Sequence, residues 1–270
     1  VLPPDVNKSD IRWKGQKASM RVGLLSIKHL AAGTKERIVE KRRGKPYRDI
    51  SDFCKRVRPD DREARVLIHA GAFDSLYQKK DRAGLLWELA VWKKSQANQN
   101  RSIDMFGSFT DSNMIKPSFP PQKECRRLRQ EFEALGFLCD RHPMVLYAGD
   151  LKRRGIIKAM DLPNFAGRHI RIAGILITGK VVHTKHGDPM EFLTFEDETG
   201  LVETTFFPKA YRRFCAMLGK DRPFILYGKV EEDFGAHTLT VEHVDTFTDN
   251  RNDDSSFPPF SLSRAIGTKG

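Results

Sequence analysis

The chain has 270 residues, room for two ordinary domains and their connectors. Apolar residues make up 39% and charged residues 30%, a hydrophilic globular composition in which no apolar run reaches the roughly 18 residues a membrane-spanning helix needs. Forty-seven Lys and Arg against 35 Asp and Glu leave a net charge of +12, which points to a polyanionic partner and away from a membrane-embedded one.

That charge is unevenly spread. Residues 1–94 hold 23 basic and 12 acidic side chains, residues 95–167 hold 11 and 8, residues 168–244 hold 10 and 11, and residues 245–270 hold 3 and 4. A phosphate-binding surface is therefore expected in the first third, the alternative being a solvated basic face. The opening Val1, with no signal pattern after it, reads as the start of a fragment of a longer chain. Cys54, Cys125, Cys139 and Cys215 form no CxxC pair and have no His at zinc-finger spacing, so they read as reduced thiols of a cytoplasmic protein without structural zinc.

Taken in chain order, Val22, Leu25 and Ile27 lead into Leu30, and Ile38 and Val39 follow before the Gly44-Lys45-Pro46 break. This pattern predicts a short helix, a turn and a second helix. Further helices are expected over Ser51–Val57, around Ala64–His69 and over Arg82–Lys94, so that residues 1–94 form an all-α module. Residues 95–122, rich in Ser, Asn, Gln, Pro and Asp, read as a linker. Leu128, Phe132 and Leu135 mark a helix ending at Gly136 within a connecting segment, residues 123–167. From Arg168 the period changes to two. A long strand containing Gly174 is followed by strands over Met190–Glu196, Leu201–Phe207, Pro223–Glu231 and His237–Val244, with a helix over Pro208–Leu218 after the third. That is the order of a five-stranded OB-fold barrel over residues 168–244, with another small barrel or a sandwich as the alternative. Residues 245–270 read as a flexible tail. The fold class is α+β and multidomain.

Ile27 to Gly33 between two short helices would form a hairpin that presents backbone N–H groups and a positive helix end to a phosphate. Lys28, Lys35 and Arg37 are placed to add charge, and an ordinary helical hairpin is the competing reading. In the barrel, pleat alternation directs Leu193, Phe195, Val202, Phe206, Phe224 and Leu226 inward and leaves Phe192, Phe207 and Tyr227 outside, where aromatic rings can stack bases. Arg171, Lys180, His183, Lys185 and His186 on the first strand and its loop are placed to hold a nucleic-acid backbone, although a barrel of net charge −1 equally suits protein docking. His183 and His186 point to opposite faces of a strand and have no further ligand, and Glu196-Asp197-Glu198 beside Thr199-Gly200 reads as a solvated turn, so no metal site is expected. No nucleophile, P-loop or dinucleotide signature is present.

Several segments carry a resemblance. Val1-Leu2-Pro3-Pro4-Asp5-Val6-Asn7, Arg21-Val22-Gly23-Leu24, Gly44-Lys45-Pro46-Tyr47 with Asp52-Phe53, Ala70-Gly71-Ala72-Phe73-Asp74-Ser75-Leu76, Leu135-Gly136-Phe137, Arg141-His142-Pro143-Met144 and Phe195-Glu196-Asp197-Glu198-Thr199-Gly200 occur in the order found in bacterial C-family DNA polymerases, the DNA polymerase III alpha type. The resemblance implies the end of a fingers region, a helix–hairpin–helix module for duplex DNA, a linker with a sliding-clamp peptide and an OB domain near single-stranded template. It also implies that the polymerase palm, with the acidic residues that use Mg, lies upstream of Val1 in the rest of the polymerase chain. The fragment itself is then non-catalytic and holds no cofactor.

The sequence departs from that family at three places. The family hairpin usually reads Gly-hydrophobic-Gly, whereas His29, Leu30 and Ala31 stand here, which shifts the expected duplex contacts toward Lys28, Lys35, Arg37 and the run Lys41-Arg42-Arg43. Arg62 and Arg65 are further expected contacts in a second, shorter hairpin region. At the place of the clamp peptide stand Ser102-Ile103-Asp104-Met105-Phe106, with Ser102 where the usual form begins with Gln. These departures, and the 26 residues after Val244, lean toward an accessory or error-prone, translesion-type paralogue; a replicative chain cut short would read the same. The rival from another class is a protein-interaction adaptor whose barrel docks partner proteins.

Overall fold

The computed structural model describes residues 1–16, 18–77, 82–99, 119, 122–219 and 222–247, and the chain divides into two units, Val1–Asp140 and Arg141–Gly270. The first unit opens with a feature the helical patterning gave no sign of, an antiparallel ribbon of β1 (Lys14–Gln16) and β2 (Ser19–Arg21). Three residues per strand are too few to show a period of two. A 3-10 turn over Leu24–Ser26 stands in place of the expected first helix. Its tighter winding turns Leu24 into the core and leaves Leu25 53% exposed, the reverse of what helical spacing implied for Leu25.

Five helices follow: α1 (Ala32–Lys41), α2 (Ile50–Val57), α3 (Asp61–His69), α4 (Arg82–Gln99) and α5 (Glu124–Leu135). Their ends are written in local chemistry. The Asp49 carboxylate accepts the Asp52 N–H at the start of α2. Asp60 and Glu63 form a reciprocal capping box at the start of α3. Gly136, at φ 86°, closes α5 in the left-handed conformation that glycine adopts freely. Phe53 lies at the centre of the core, edge-on to Tyr47 and to Phe73 with ring centroids 5.0 Å away in each case. Two expectations about connectors change here. α4 continues past Lys94 to Gln99, into the stretch read as linker. α5, read as part of a separate connector, packs Ala134 and Leu135 into the same core as α1, α2 and α3. Arg82 helps to explain why: only 1% exposed, it donates through Nη1 to the Arg127 carbonyl of α5 at 2.9 Å and faces the Asp74 carboxylate at 3.9 Å.

The second unit begins with a 3-10 turn over Pro143–Tyr147, α6 (Ala148–Arg153) and a 3-10 segment over Ala159–Phe165. The barrel strands are β3 (His169–His183), β4 (Pro189–Glu196), β5 (Leu201–Phe206), β6 (Pro223–Asp233) and β7 (Ala236–Thr246). They close in the order β3-β4-β5-β7-β6, with β5 and β7 parallel and the other pairs antiparallel. α7 (Pro208–Phe214) follows β5, with Pro208 in its first turn. This is the expected OB order, and Leu193, Phe195, Val202, Phe206, Phe224 and Leu226 are all buried inside it. The long first strand bends at a bulge between Leu176 and Thr178. A side chain at Gly228 would have its Cβ 2.1 Å from the Thr240 carbonyl oxygen, so β6 and β7 approach there as closely as only glycine allows.

The turn between β4 and β5 hangs on one carboxylate. Asp197 Oδ1 accepts from the Thr199 N–H and hydroxyl and from the Gly200 N–H, while Oδ2 accepts the Ala159 N–H at 2.7 Å. Lys158 pairs with Glu198 at 2.8 Å. The Glu196-Asp197-Glu198 run thus builds a turn, and among the described residues no group of three His, Cys, Asp or Glu side chains is arranged to hold a metal ion. No helix among the described residues is long and apolar enough to cross a membrane.

Candidate nucleic-acid interface

The hairpin between the 3-10 turn and α1 keeps its shape without glycine. His29 takes the left-handed conformation, φ 59°, at a cost of roughly 1 kcal/mol or more relative to glycine. Neighbours hold it there: the Lys28 N–H donates to the Ala134 carbonyl at 2.9 Å, and the Ala31 N–H donates to Glu63 Oε1 at 3.0 Å. Arg62 Nη2 lies 3.0 Å from His29 Nδ1, which accepts when the ring is neutral with its proton on Nε2. Ala31 is the N-cap of α1 and offers no side-chain cap, and Ala31, Ala32 and Gly33 are all exposed. Ala32 and Gly33, the first residues of α1, therefore stand at the surface with the positive end of the helix dipole behind them, while the Thr34 N–H turns back to the Ala31 carbonyl at 3.1 Å.

The basic residues around this point divide by what already holds them. Arg62 and Lys35 stand beside the hairpin, Arg62 exposed and Lys35 half-buried one turn into α1. Lys28 runs back to the end of α5, its Nζ 3.2 Å from where a Cβ on Gly136 would stand. Arg42 ties the end of α1 to the N-terminal segment, donating to the carbonyls of Val6 at 3.1 Å and Ser9 at 2.6 Å. Arg65 pairs with Asp61 at 2.8 Å, and Lys41 with Glu40 at 3.4 Å. Arg43 is exposed at the end of α1, and Arg37 donates to Val57 O and Thr34 Oγ1. Arg37 and Arg42 thus carry structural bonds that their positions in the sequence did not reveal.

On the barrel two of the expected aromatics are exposed and one is half-buried, and the three are not gathered. Phe192, 44% exposed, lies on β4 beside Lys180 of β3. Phe207, 46% exposed, is the N-cap of α7. Tyr227 lies on β6 beside Arg171, half-buried, with its ring stacked on His169 at 5.7 Å. β4 and β6 flank β3 on opposite sides, and Arg171 and Lys180 are separated by roughly 30 Å of extended strand at about 3.3 Å per residue. One platform of three rings does not form.

The outer face of β4 and β5 carries Phe192, Thr194 and Glu203 between two unlike ends. At one end is the β3–β4 turn with His183, Lys185 and His186, all exposed. At the other is the β6–β7 turn, where Glu231, Glu232 and Asp233 precede a fully exposed Phe234 at φ 47°. Phe234 escaped the pattern reading because it falls between two expected strands; the signal was an apolar residue before Gly235 in a turn. Ser102, Ile103, Asp104, Met105 and Phe106 lie outside the described residues.

Two family models match the chain, one described as a helix-hairpin-helix motif over residues 1–84 and one as an OB-fold nucleic acid binding domain over residues 175–246. The DNA polymerase III alpha subunit of Bacillus subtilis is 30% identical over 238 residues, covering 86% of this chain and 21% of that protein. The chain resembles DNA polymerase III alpha subunits. That of Aquifex aeolicus is 32% identical over 259 residues, covering 92% of this chain and 21% of the relative, and that of Escherichia coli 30% identical over 262 residues, covering 90% and 22%. The chain spans about a fifth of the length of these DNA polymerase III alpha relatives. The helix–hairpin–helix and OB-fold architectures expected from the residues are both present.

Proposed function

We propose that this chain binds duplex DNA through its first unit and single-stranded template through its barrel, as part of a polymerase of the DNA polymerase III alpha type working in replication or translesion synthesis in the cytoplasm. The observation that carries the reading is the uncapped, exposed N-terminus of α1 behind the His29 hairpin, set in the part of the chain that holds 23 basic against 12 acidic residues. Backbone amides at a positive helix end bind phosphate without reading sequence, which suits a polymerase that must hold any duplex. The role of these residues is positioning. Nucleotidyl transfer, and the Mg it uses, belong to other parts of such a polymerase.

The barrel's part rests on Lys180, Lys185 and His186 for the backbone and on Phe192 for a base. Its opposite end favours a second reading, because three carboxylates beside Phe234 repel phosphate and suit a protein surface instead. A titration of the chain with a blunt duplex, and with the same duplex carrying a single-stranded overhang, tests both. Steep weakening with salt on the blunt duplex and tighter binding of the overhang are expected. Salt-independent binding would sink the duplex role, and equal affinity for both substrates would return the barrel to protein docking. For Ser102–Phe106 we keep the clamp contact as a proposal from sequence. A peptide spanning residues 98–109 should bind a bacterial sliding clamp weakly and Ser102→Gln should tighten it, and binding by neither removes the site.

A further inference from the structure

Between α1 and α2 lies a cavity of about 490 Å³ lined by Arg37, Lys41, Lys55, Arg56, Val57 and Arg58. Five of these six side chains are cationic and none is acidic. Carboxylates just outside offset two of them: Asp52 Oδ2 lies 3.2 Å from Arg56 Nη1, and Glu40 Oε1 lies 3.4 Å from Lys41 Nζ. Arg37, Lys55 and Arg58 have no ion pair among the described residues.

Two of the three guanidiniums in the cluster are fixed in place. Arg37 Nε donates to the Val57 carbonyl at 2.9 Å and Nη2 to Thr34 Oγ1 at 2.8 Å. Arg56 Nη2 donates to the carbonyls of Lys41 and, at 2.8 Å, of Lys45, while its guanidinium lies 4.5 Å from the Tyr47 ring centre. Clamping of this kind removes much of the ordering cost that flexible arginines meet on binding an anion. Like charges held together in a concave site repel one another, and an anion relieves that repulsion.

We propose that this cavity is a phosphate-binding pocket, a second backbone anchor separate from the hairpin. Its source of phosphate rests on the duplex-binding reading above; free pyrophosphate offers the same chemistry. The spacing suits one duplex strand. Ala32 at the hairpin and Lys41 at the pocket stand at opposite ends of α1, roughly 14 Å apart at 1.5 Å per residue. Phosphates along one strand follow one another closely enough for a single duplex strand to meet both anchors. Among the lining residues only Arg37 and Lys41 stood out in the sequence. Lys55, Arg56 and Arg58 come together with them through the packing of α2 against α1.

The test uses the whole chain and a Lys55→Gln, Arg58→Asn double variant. Both side chains are exposed, and Asn tolerates the left-handed backbone at position 58, where φ is 53°. Lys41→Gln is a second variant that removes a pocket charge without touching the end of α2. Each protein is titrated with blunt duplex across a salt series and, by calorimetry, with inorganic pyrophosphate. Loss of two phosphate contacts should lower the salt slope by about 2 and weaken duplex binding about fivefold or more. If the unsubstituted chain binds no duplex, the functional reading fails. The pocket then stands on pyrophosphate binding that the double variant abolishes. Unchanged salt slopes together with unchanged pyrophosphate titrations in both variants would overturn the pocket.

Discussion

Ala31→Asp separates what the α1 N-terminus does for the fold from what it does for a ligand. An aspartate at an N-cap normally stabilises a helix by about 1 kcal/mol relative to alanine, by accepting an amide of the first turn. Here Glu63 Oε1 already lies 3.0 Å from the Ala31 nitrogen, and its proximity to a second carboxylate offsets part of that gain. The net effect on folding should lie between about 0 and about 1 kcal/mol in favour. Binding should move the other way, because the new carboxylate occupies an amide meant for phosphate and repels the phosphate that remains. At roughly 5 Å that repulsion is about 0.8 kcal/mol in bulk water and about 3 kcal/mol at the dielectric typical of a protein surface. Duplex affinity should therefore fall between about 4-fold and about 200-fold. Fluorescence anisotropy with a labelled blunt duplex at about 50 mM and about 200 mM salt reads the loss, and a thermal melt reads the fold. Ala31→Ser, which caps without charge, should lose less. Undiminished duplex affinity in Ala31→Asp, with an intact melt, would refute the assignment of the helix end to phosphate.

Three other outcomes are expected. Phe192→Ala should abolish the preference for an overhang while Phe234→Ala leaves it in place, since only Phe192 has a basic neighbour in Lys180; anisotropy with the two substrates decides, and the reverse result would move the single strand to the β6–β7 turn. Gly228→Ala should destabilise the barrel by about 3 kcal/mol or more through overpacking against the Thr240 carbonyl, read by chemical denaturation, whereas Gly235→Ala, at φ 80° in open space, should cost about 1 kcal/mol. His69 is held below its ordinary pKa of 6.5 by burial and by Arg82, Arg65 and Arg126 nearby, so the folded state favours the neutral ring. The stability this contributes is present above about pH 6.5 and is lost as pH falls through the lowered folded value, and His69→Gln should flatten that part of a pH-melting profile.

The barrel was legible because period-two alternation and a closed sheet state the same fact twice. Each inward residue from Leu193 to Leu226 occupies its expected face, and a helix beginning at Pro208 follows the third strand. The helices of the first unit were legible from the spacing of their apolar residues and the breaks between them, as at Leu128, Phe132 and Leu135 of α5 before Gly136. What eluded the pattern was set by tertiary contact. Alternation says that Tyr227 points outward but not on which side of the closed barrel it lies. A run such as Lys41-Arg42-Arg43 looks uniform, yet the backbone carbonyls of Val6 and Ser9, more than thirty residues away, engage the middle residue alone. The α1–α2 pocket draws its charges from two helices whose approach is fixed by buried Ile38, Tyr47 and Phe53.

The hairpin at His29 has a consequence for how this unit folds. A glycine-bearing hairpin carries its left-handed turn as a local preference, already sampled in short peptides. His29-Leu30-Ala31 has no such preference, and its shape comes from two bonds to distant helices, Lys28 to Ala134 of α5 and Ala31 to Glu63 of α3. The hairpin conformation is thus a product of the finished core: it should form late, it should not survive in an excised 27–41 peptide, and the amides of Lys28 and Ala31 should exchange with solvent only when α3 or α5 detaches.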